Sequence, residues 1–147
     1  MGKKTPRRVA NVPQFQKHPR GGELVEVIQK KHFCWRVEEI DWDGPWGWSK
    51  ATHDEILRTI IPRLHNYESM TWAEMEGPSG SHAIEFDQLC AEAQARLGEI
   101  GRDQLERLFS VRITGEQRVW GFKDIAILRV IWWDPMHAVG PSEKKHT

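Results

Sequence analysis

Cysteine is scarce in this sequence, and no long apolar run occurs. Cys34 and Cys90 are the only two cysteines among 147 residues. They are too few for a disulfide framework and match no metal-ligand spacing, so each is expected to be a small core residue. No apolar run approaches the roughly 20 residues of a membrane-spanning helix, and the polar first residues lack the apolar segment of a secretory signal. We therefore expect a soluble, cytoplasmic protein with no membrane partner.

Net charge is also absent, because 21 basic residues balance 21 acidic ones. The balance is uneven along the chain. Residues 1–31 carry eight Lys or Arg and two acids, residues 32–107 carry seven and fifteen, and residues 108–147 carry six and four. The two basic ends indicate an anionic partner, or else only solvated basic tails.

The length predicts one domain, and the sequence contains no internal repeat and no low-complexity block. Residues 1–22 are polar, basic and interrupted by proline and glycine, which predicts a flexible extension. Residues 23–140 form the predicted domain, and residues 141–147 form a short basic tail. The eight tryptophans are the unusual abundance, and most are expected in the core, since a large ring brings much area into a small core.

Hydrophobic spacing predicts two helices. Thr52 and Glu55 form a capping box at the start of the first, where Pro62 is expected to kink or split the helix. The second helix is predicted over residues 83–98. The apolar stripes that support these two helices are Ile56, Ile60 and Leu64 for the first, and Phe86, Leu89, Cys90, Ala93 and Leu97 for the second.

Strand-like runs occupy both ends of the domain. Residues 24–28 alternate weakly, residues 33–40 more clearly, and a meander follows at 108–114, 117–123 and 125–133. The pattern predicts an α+β fold in the order β-α-α-β-β-β. Both helices are expected on one face of a mainly antiparallel sheet, which leaves the other face free for a ligand.

The run from Arg112 to Val119, Arg-Ile-Thr-Gly-Glu-Gln-Arg-Val, spans the first turn of the meander and places Arg118 just after it. With the element order, it resembles the RelE/YoeB/ParE-like superfamily of bacterial toxins. The RelE/YoeB-like members are small ribosome-dependent endoribonucleases. The element order matches over residues 33–137, and the residues match over 108–137. The resemblance implies that Arg118 contacts the scissile phosphate and that His137 acts at the cleavage site. It also implies RNA or the ribosome as a partner, together with an antitoxin protein.

Cleavage of an RNA phosphodiester requires a base, an acid, and a cation beside the phosphoryl oxygens. Arg118 and Arg112 offer planar guanidinium groups that match phosphate oxygens, and His137 titrates near neutral pH. We therefore predict all three as catalytic residues. The structural alternative pairs each arginine with an acid such as Glu116 or Asp124, and bonds His137 to a backbone carbonyl in a turn.

Four further residues are predicted to bind the RNA. Lys123, Lys144 and Lys145 supply positive charge. Trp132 and Trp133 are consecutive in a strand, so their rings face opposite ways. One ring belongs to the core, and the other lies either beneath a helix or on the open face, where a base could stack on it. Trp133 is predicted as the residue that binds RNA, with core packing as the structural alternative.

No cofactor and no metal are predicted, because the spacing of His82, His137 and His146 matches no ligand signature. The stretch Glu99–Leu108 contains no lysine, although the toxin family commonly carries lysines or a catalytic glutamate there. This departure and the many tryptophans favour an alternative, a non-catalytic protein-interaction module on the same fold, such as the gyrase-inhibiting relatives. A homo-oligomer and a protein with no nucleic-acid role are also left open.

Overall fold

The computed structural model describes residues 21–141. Nearly all of the predicted tail and of the predicted extension lie outside these residues. The described residues contain four α-helices, α1 (Gly21–Gln29), α2 (Ile61–Tyr67), α3 (Trp72–Met75) and α4 (Ala91–Glu99). The same part of the chain contains five strands, β1 (Cys34–Arg36), β2 (His82–Glu85), β3 (Arg107–Arg112), β4 (Arg118–Asp124) and β5 (Ile127–Asp134). The chain is therefore an α+β protein.

The five strands form one sheet in the order β1-β5-β4-β3-β2. β1 runs parallel to β5, and the other neighbours are antiparallel. The predicted meander is confirmed as β3, β4 and β5, with ends shifted by one or two residues. None of the described helices is long and apolar enough to cross a membrane.

The expected first helix is present, and its start is confirmed. The backbone N–H of Glu55 donates to Thr52 Oγ1 over 3.0 Å, and the N–H of Thr52 donates to Glu55 Oε1 over 2.9 Å. A π-helical segment, Glu55–Ile60, comes first and continues as α2, with Pro62 in the first turn of α2. Proline has no N–H and crowds the carbonyl four residues back, so a wider turn before it relieves both problems.

Two sequence predictions of secondary structure are wrong. Residues 24–28, expected as a strand, belong to α1, where Leu24, Val25 and Val27 are all exposed. A run of five residues is too short to separate a period of two from a helical period. The predicted helix over 83–98 is divided into β2, a 3-10 turn and α4. Its apolar residues still pack into one cluster, although they come from different elements.

The prediction that both helices cover one face of the sheet is also wrong. Residues along β3, β4 and β5 alternate between two core clusters, so that Trp120 and Trp132 belong to one and Val119 and Trp133 to the other. α2 packs in the cluster of Trp133, which defines face 1, and α4 packs in the cluster of Trp132, which defines face 2. Both faces are apolar, and an apolar face requires cover.

A β-bulge keeps this alternation in step with the partner strand. Trp120 pairs with Trp132, but Gly121 pairs with Val130, so Ile131 is an extra residue in β5. Ile131 and Trp132 consequently both lie in the core cluster of face 2. Gly121 is required here, because a Cβ on it would lie 2.3 Å from the carbonyl oxygen of Arg129.

Candidate functional site

Arg112, Arg118 and Asp134 form a row across three neighbouring strands at one end of the sheet. Arg112 pairs with Arg118, and Arg118 pairs with Asp134. Directly opposed residues share a face. The alternation with Trp120 and Trp132 places this row on face 2. The sheet therefore brings together both arginines that the sequence predicted as catalytic.

Arg118 is buried, with 8% of its surface exposed. Its Nη1 donates to the carbonyls of Thr114, Gly115 and Gln117 over 3.0, 3.0 and 3.1 Å. Its Nε has no acceptor among the described residues. Burial and the positive charge of Arg112 lower the pKa of Arg118. Arg118 thus holds the β3–β4 turn, and it also carries a charge that the protein leaves poorly compensated.

Arg112 is the accessible member of the pair. Its Nε donates to the Thr114 carbonyl over 3.3 Å, and its backbone N–H donates to Ser81 Oγ over 3.0 Å. Its side chain lies against Gly80, where a Cβ would stand 2.8 Å from Arg112 Cδ and where φ is +89°. Gly80 therefore provides both the tight turn and the space that the Arg112 side chain occupies.

Asp134 builds the turn that carries His137. Its carboxylate is fully buried and accepts the backbone N–H groups of Ala138 and Val139 over 2.9 and 3.0 Å. It also accepts the indole N–H of Trp120 over 3.0 Å. His137 itself adopts a left-handed conformation with φ of 56°. The cap places a half-buried imidazole next to the row of arginines.

The surroundings of His137 favour its neutral form. Burial lowers its pKa below the ordinary 6.5, and the positive charges of Arg118 and His82 lower it further. The negative charges of Asp134 and Glu116 oppose this shift. A neutral imidazole at pH 7 can accept a proton, which is the role of a general base.

His82 and Ser110 lie on face 2 near the arginine row, although neither was predicted to have a catalytic or RNA-binding role. His82 pairs with Ser110, and Ser110 pairs with Trp120, so all three lie on face 2. His82 is exposed, whereas Ser110 is buried and its hydroxyl has no partner among the described residues. Strand β2 brings His82 here, and that strand was hidden in the sequence because its four residues also fit the start of a helix.

Lys123 does not belong to this group. It lies on face 1 near the far end of β4, about 17 Å along the strand from Arg118. Its Nζ donates to Gln29 Oε1 over 2.8 Å, lies 3.7 Å from Glu76 Oε2, and sits 4.3 Å from the centre of the Trp72 ring. Lys123 therefore lies apart from the arginine row, and its role in binding RNA stays a prediction. Lys144 and Lys145 lie outside the described residues.

Trp133 does not offer a stacking surface, so its predicted role in base binding is wrong. It is 2% exposed and packs in the core of face 1 together with Val119 and Val130. Trp132 is fully buried on face 2 and donates its indole N–H to Asp41 over 2.8 Å. The two rings face opposite ways, as expected, but helices cover both faces, so neither ring reaches solvent.

An apolar cavity of about 310 Å³ opens on face 1, apart from the arginine row. Its walls include Trp35, Trp42, Ile56, Leu64 and Val130, with no charged side chain. Such a lining cannot bind a phosphate. Among the residues described, no group of three or more His, Cys, Asp or Glu is arranged to hold a metal ion.

No family model, no curated protein and no solved structure matches this chain. The chemistry of the site residues is therefore the evidence for function. The site combines an exposed guanidinium, a buried guanidinium behind it, a neutral imidazole in a capped turn, and a second imidazole on the neighbouring strand. Cations and proton-transfer groups together suit a reaction at a phosphate.

Proposed function

We propose that this protein is an endoribonuclease that cleaves RNA at the sheet end formed by Arg112, Arg118 and His137. The observation that carries the proposal is the position of His137. Asp134 fixes its turn, and burial together with the charge of Arg118 favours the neutral form of the imidazole. The neutral imidazole takes the proton of the 2′-hydroxyl as that oxygen bonds to phosphorus, and the imidazolium returns the proton to the 5′-oxygen as the bond from phosphorus to that oxygen breaks. The guanidinium groups stabilise the charge on the phosphoryl oxygens.

The contacts suggest different roles for the two arginines. Arg112 is exposed and makes one long side-chain hydrogen bond, so it is free to bind phosphoryl oxygens with its planar fork. Arg118 is buried, and its Nη1 is committed to three carbonyls. We assign Arg112 to the phosphate, and we assign Arg118 to positioning the turn and to the electrostatic field.

We propose mRNA on the ribosome as the substrate, with an antitoxin protein as regulator and the cytoplasm as the location. Support comes from the resemblance of the meander between Arg112 and His137 to the RelE/YoeB-like toxins. The sheet end also lies at the surface, where a large RNA-containing particle can approach Arg112 and His82.

Controlled expression in a bacterial host tests the proposal. Wild type is compared with Arg112→Ala and His137→Asn, reading growth and the integrity of cellular mRNA. Asparagine removes the titrating ring yet tolerates the left-handed backbone at this position. Arg107→Ala is the matched control, because Arg107 is an exposed arginine of the same strand, paired with Glu85 over 3.2 Å.

We expect growth arrest with mRNA cleavage from wild type and from Arg107→Ala. Both effects should be lost in the Arg112 and His137 variants. If these two variants arrest growth and cleave mRNA as the parent does, the assigned residues do not carry the reaction.

A second function, a non-catalytic interaction protein, is favoured by one observation. The three carbonyl contacts of Arg118 give this residue a sufficient structural role. Under this alternative, expression arrests growth with intact mRNA, and Arg112→Ala leaves the arrest unchanged.

A further inference from the structure

Arg118 is a buried cation that forms no ion pair within residues 21–141. It is more than nine-tenths buried, and the described residues give it no ion pair with a carboxylate. The nearest acid in the row, Asp134, spends its two oxygens on three N–H donors. A buried charge without a partner is costly, and an anion bound close by would relieve that cost.

Two buried polar groups on the same face also lack partners. The Nε of Arg118 has no acceptor, and the hydroxyl of Ser110 has neither donor nor acceptor among residues 21–141. Native proteins seldom leave such groups unmatched, and a bound ion is one way in which they are matched. Ser110 lies in β3 and Arg118 in the neighbouring strand β4. On face 2, the pair Ser110–Trp120 is next to the pair Arg112–Arg118.

The exposed side chains of Arg112 and His82 favour an anion beside Arg118, whereas the exposed carboxylate of Glu116 opposes one. His82 is the diagonal neighbour of Arg112 across β2 and β3, at about 7–8 Å between such positions and within reach of long side chains. Arg112 and Arg118 donate to the same carbonyl, that of Thr114. The charges of Arg118 and His82 both lower the pKa of His137. Glu116 and Asp134 are the acids that also act on this imidazole.

We propose that this sheet end binds one phosphate group between Arg112, His82 and His137, with the charge of Arg118 behind it. The inference rests on the proposed function in one respect, since it identifies that phosphate as a backbone phosphate of the RNA substrate. It adds His82 as a second imidazole at the substrate, which the sequence did not indicate. A bound phosphate would accept hydrogen bonds from the exposed guanidinium and from both rings.

Histidine titration by NMR on the full chain tests this inference. The probes are inorganic phosphate and a short 2′-O-methyl oligoribonucleotide, which carries backbone phosphates but cannot be cleaved. A bound anion stabilises the imidazolium, so we expect the pKa of His137 to rise with the probe. The ring-proton signals of His82 should shift when the probe is added. His65, an exposed histidine of α2, should not respond.

A variant adds an affinity readout. His82→Asn should weaken binding of the oligoribonucleotide about tenfold, the effect of losing one hydrogen bond to a charged group. It should leave the free energy of unfolding unchanged, because the His82 side chain is exposed. His65→Asn should leave both quantities unchanged.

The outcomes separate this inference from the proposed function. Response to the oligoribonucleotide without any RNA cleavage would support the phosphate site and overturn the nuclease. Response to inorganic phosphate alone would support an anion site and overturn its assignment to the RNA backbone. RNA cleavage with no response of His82 to either probe would overturn the inference and leave the nuclease standing.

Discussion

Arg112 and Arg118 donate to the same carbonyl oxygen, that of Thr114, over 3.3 and 3.0 Å. Two like charges are therefore held side by side at the end of the sheet. Arg112 is exposed, whereas Arg118 is buried, with 8% of its surface exposed. This difference in burial separates a ligand-binding role from a structural one.

Arg118→Ala should destabilise the fold, whereas Arg112→Ala should not. The first variant removes the donor of three carbonyls and empties a buried site, so we expect the free energy of unfolding to fall by about 2 kcal/mol. The second variant removes one long hydrogen bond at the surface and should stay within about 0.5 kcal/mol of the parent. Urea unfolding measures both. Equal stability of the two variants would mean that the buried charge of Arg118 costs as much as its hydrogen bonds contribute.

Asp134→Asn should loosen the turn that carries His137. Three N–H donors lose a charged acceptor in a fully buried place, so we expect a loss of about 3 kcal/mol in the free energy of unfolding. The pKa of His137 should also fall, because the carboxylate of Asp134 raises it. Asp87→Asn is the control, since Asp87 is exposed. An Asp134 variant as stable as this control would contradict the assigned capping role.

The meander and its two arginines were predictable because long apolar strands and tight turns leave strong local patterns. Thr52 and Glu55 marked a helix start for the same reason. The position of His82 was not predictable, because β2 has only four residues and its register is set by pairing with β3. The burial of Trp133 was also hidden, because strand alternation shows that two rings diverge but not whether a helix covers each face.

Trp132→Phe and Trp133→Phe should differ in cost, although both rings are buried. Each change replaces a core side chain by a smaller one, and the stability lost through reduced packing should be similar in the two variants. Trp132 also gives up its hydrogen bond to Asp41, whereas the indole N–H of Trp133 has no acceptor to lose. We expect Trp133→Phe to be less destabilising by about 1–2 kcal/mol in urea unfolding. The opposite order would show that the Trp133 N–H is in fact satisfied.

Asp41 should make the fold sensitive to acid. Hydrogen bonds from Arg96, over 2.8 and 2.9 Å, and from Trp132 lower the pKa of Asp41 from 3.8 to about 2, although burial opposes the shift. Because the folded pKa is depressed, the stabilisation is complete above about pH 4 and is lost as the pH falls toward 2. The shift corresponds to roughly 2 kcal/mol.

Urea unfolding of Asp41→Asn between pH 7 and pH 2.5 measures this contribution. The variant should be less stable than the parent at pH 7, and the gap should close as the pH falls through the window between 4 and 2. Asp43→Asn, at an exposed neighbouring acid, should run parallel to the parent throughout. The free energy of unfolding depends on pH only through groups whose pKa differs between the folded and unfolded states. If the stability difference between Asp41→Asn and the parent stays constant down to pH 2.5, the ion pair of Asp41 with Arg96 does not set the acid limit of the fold.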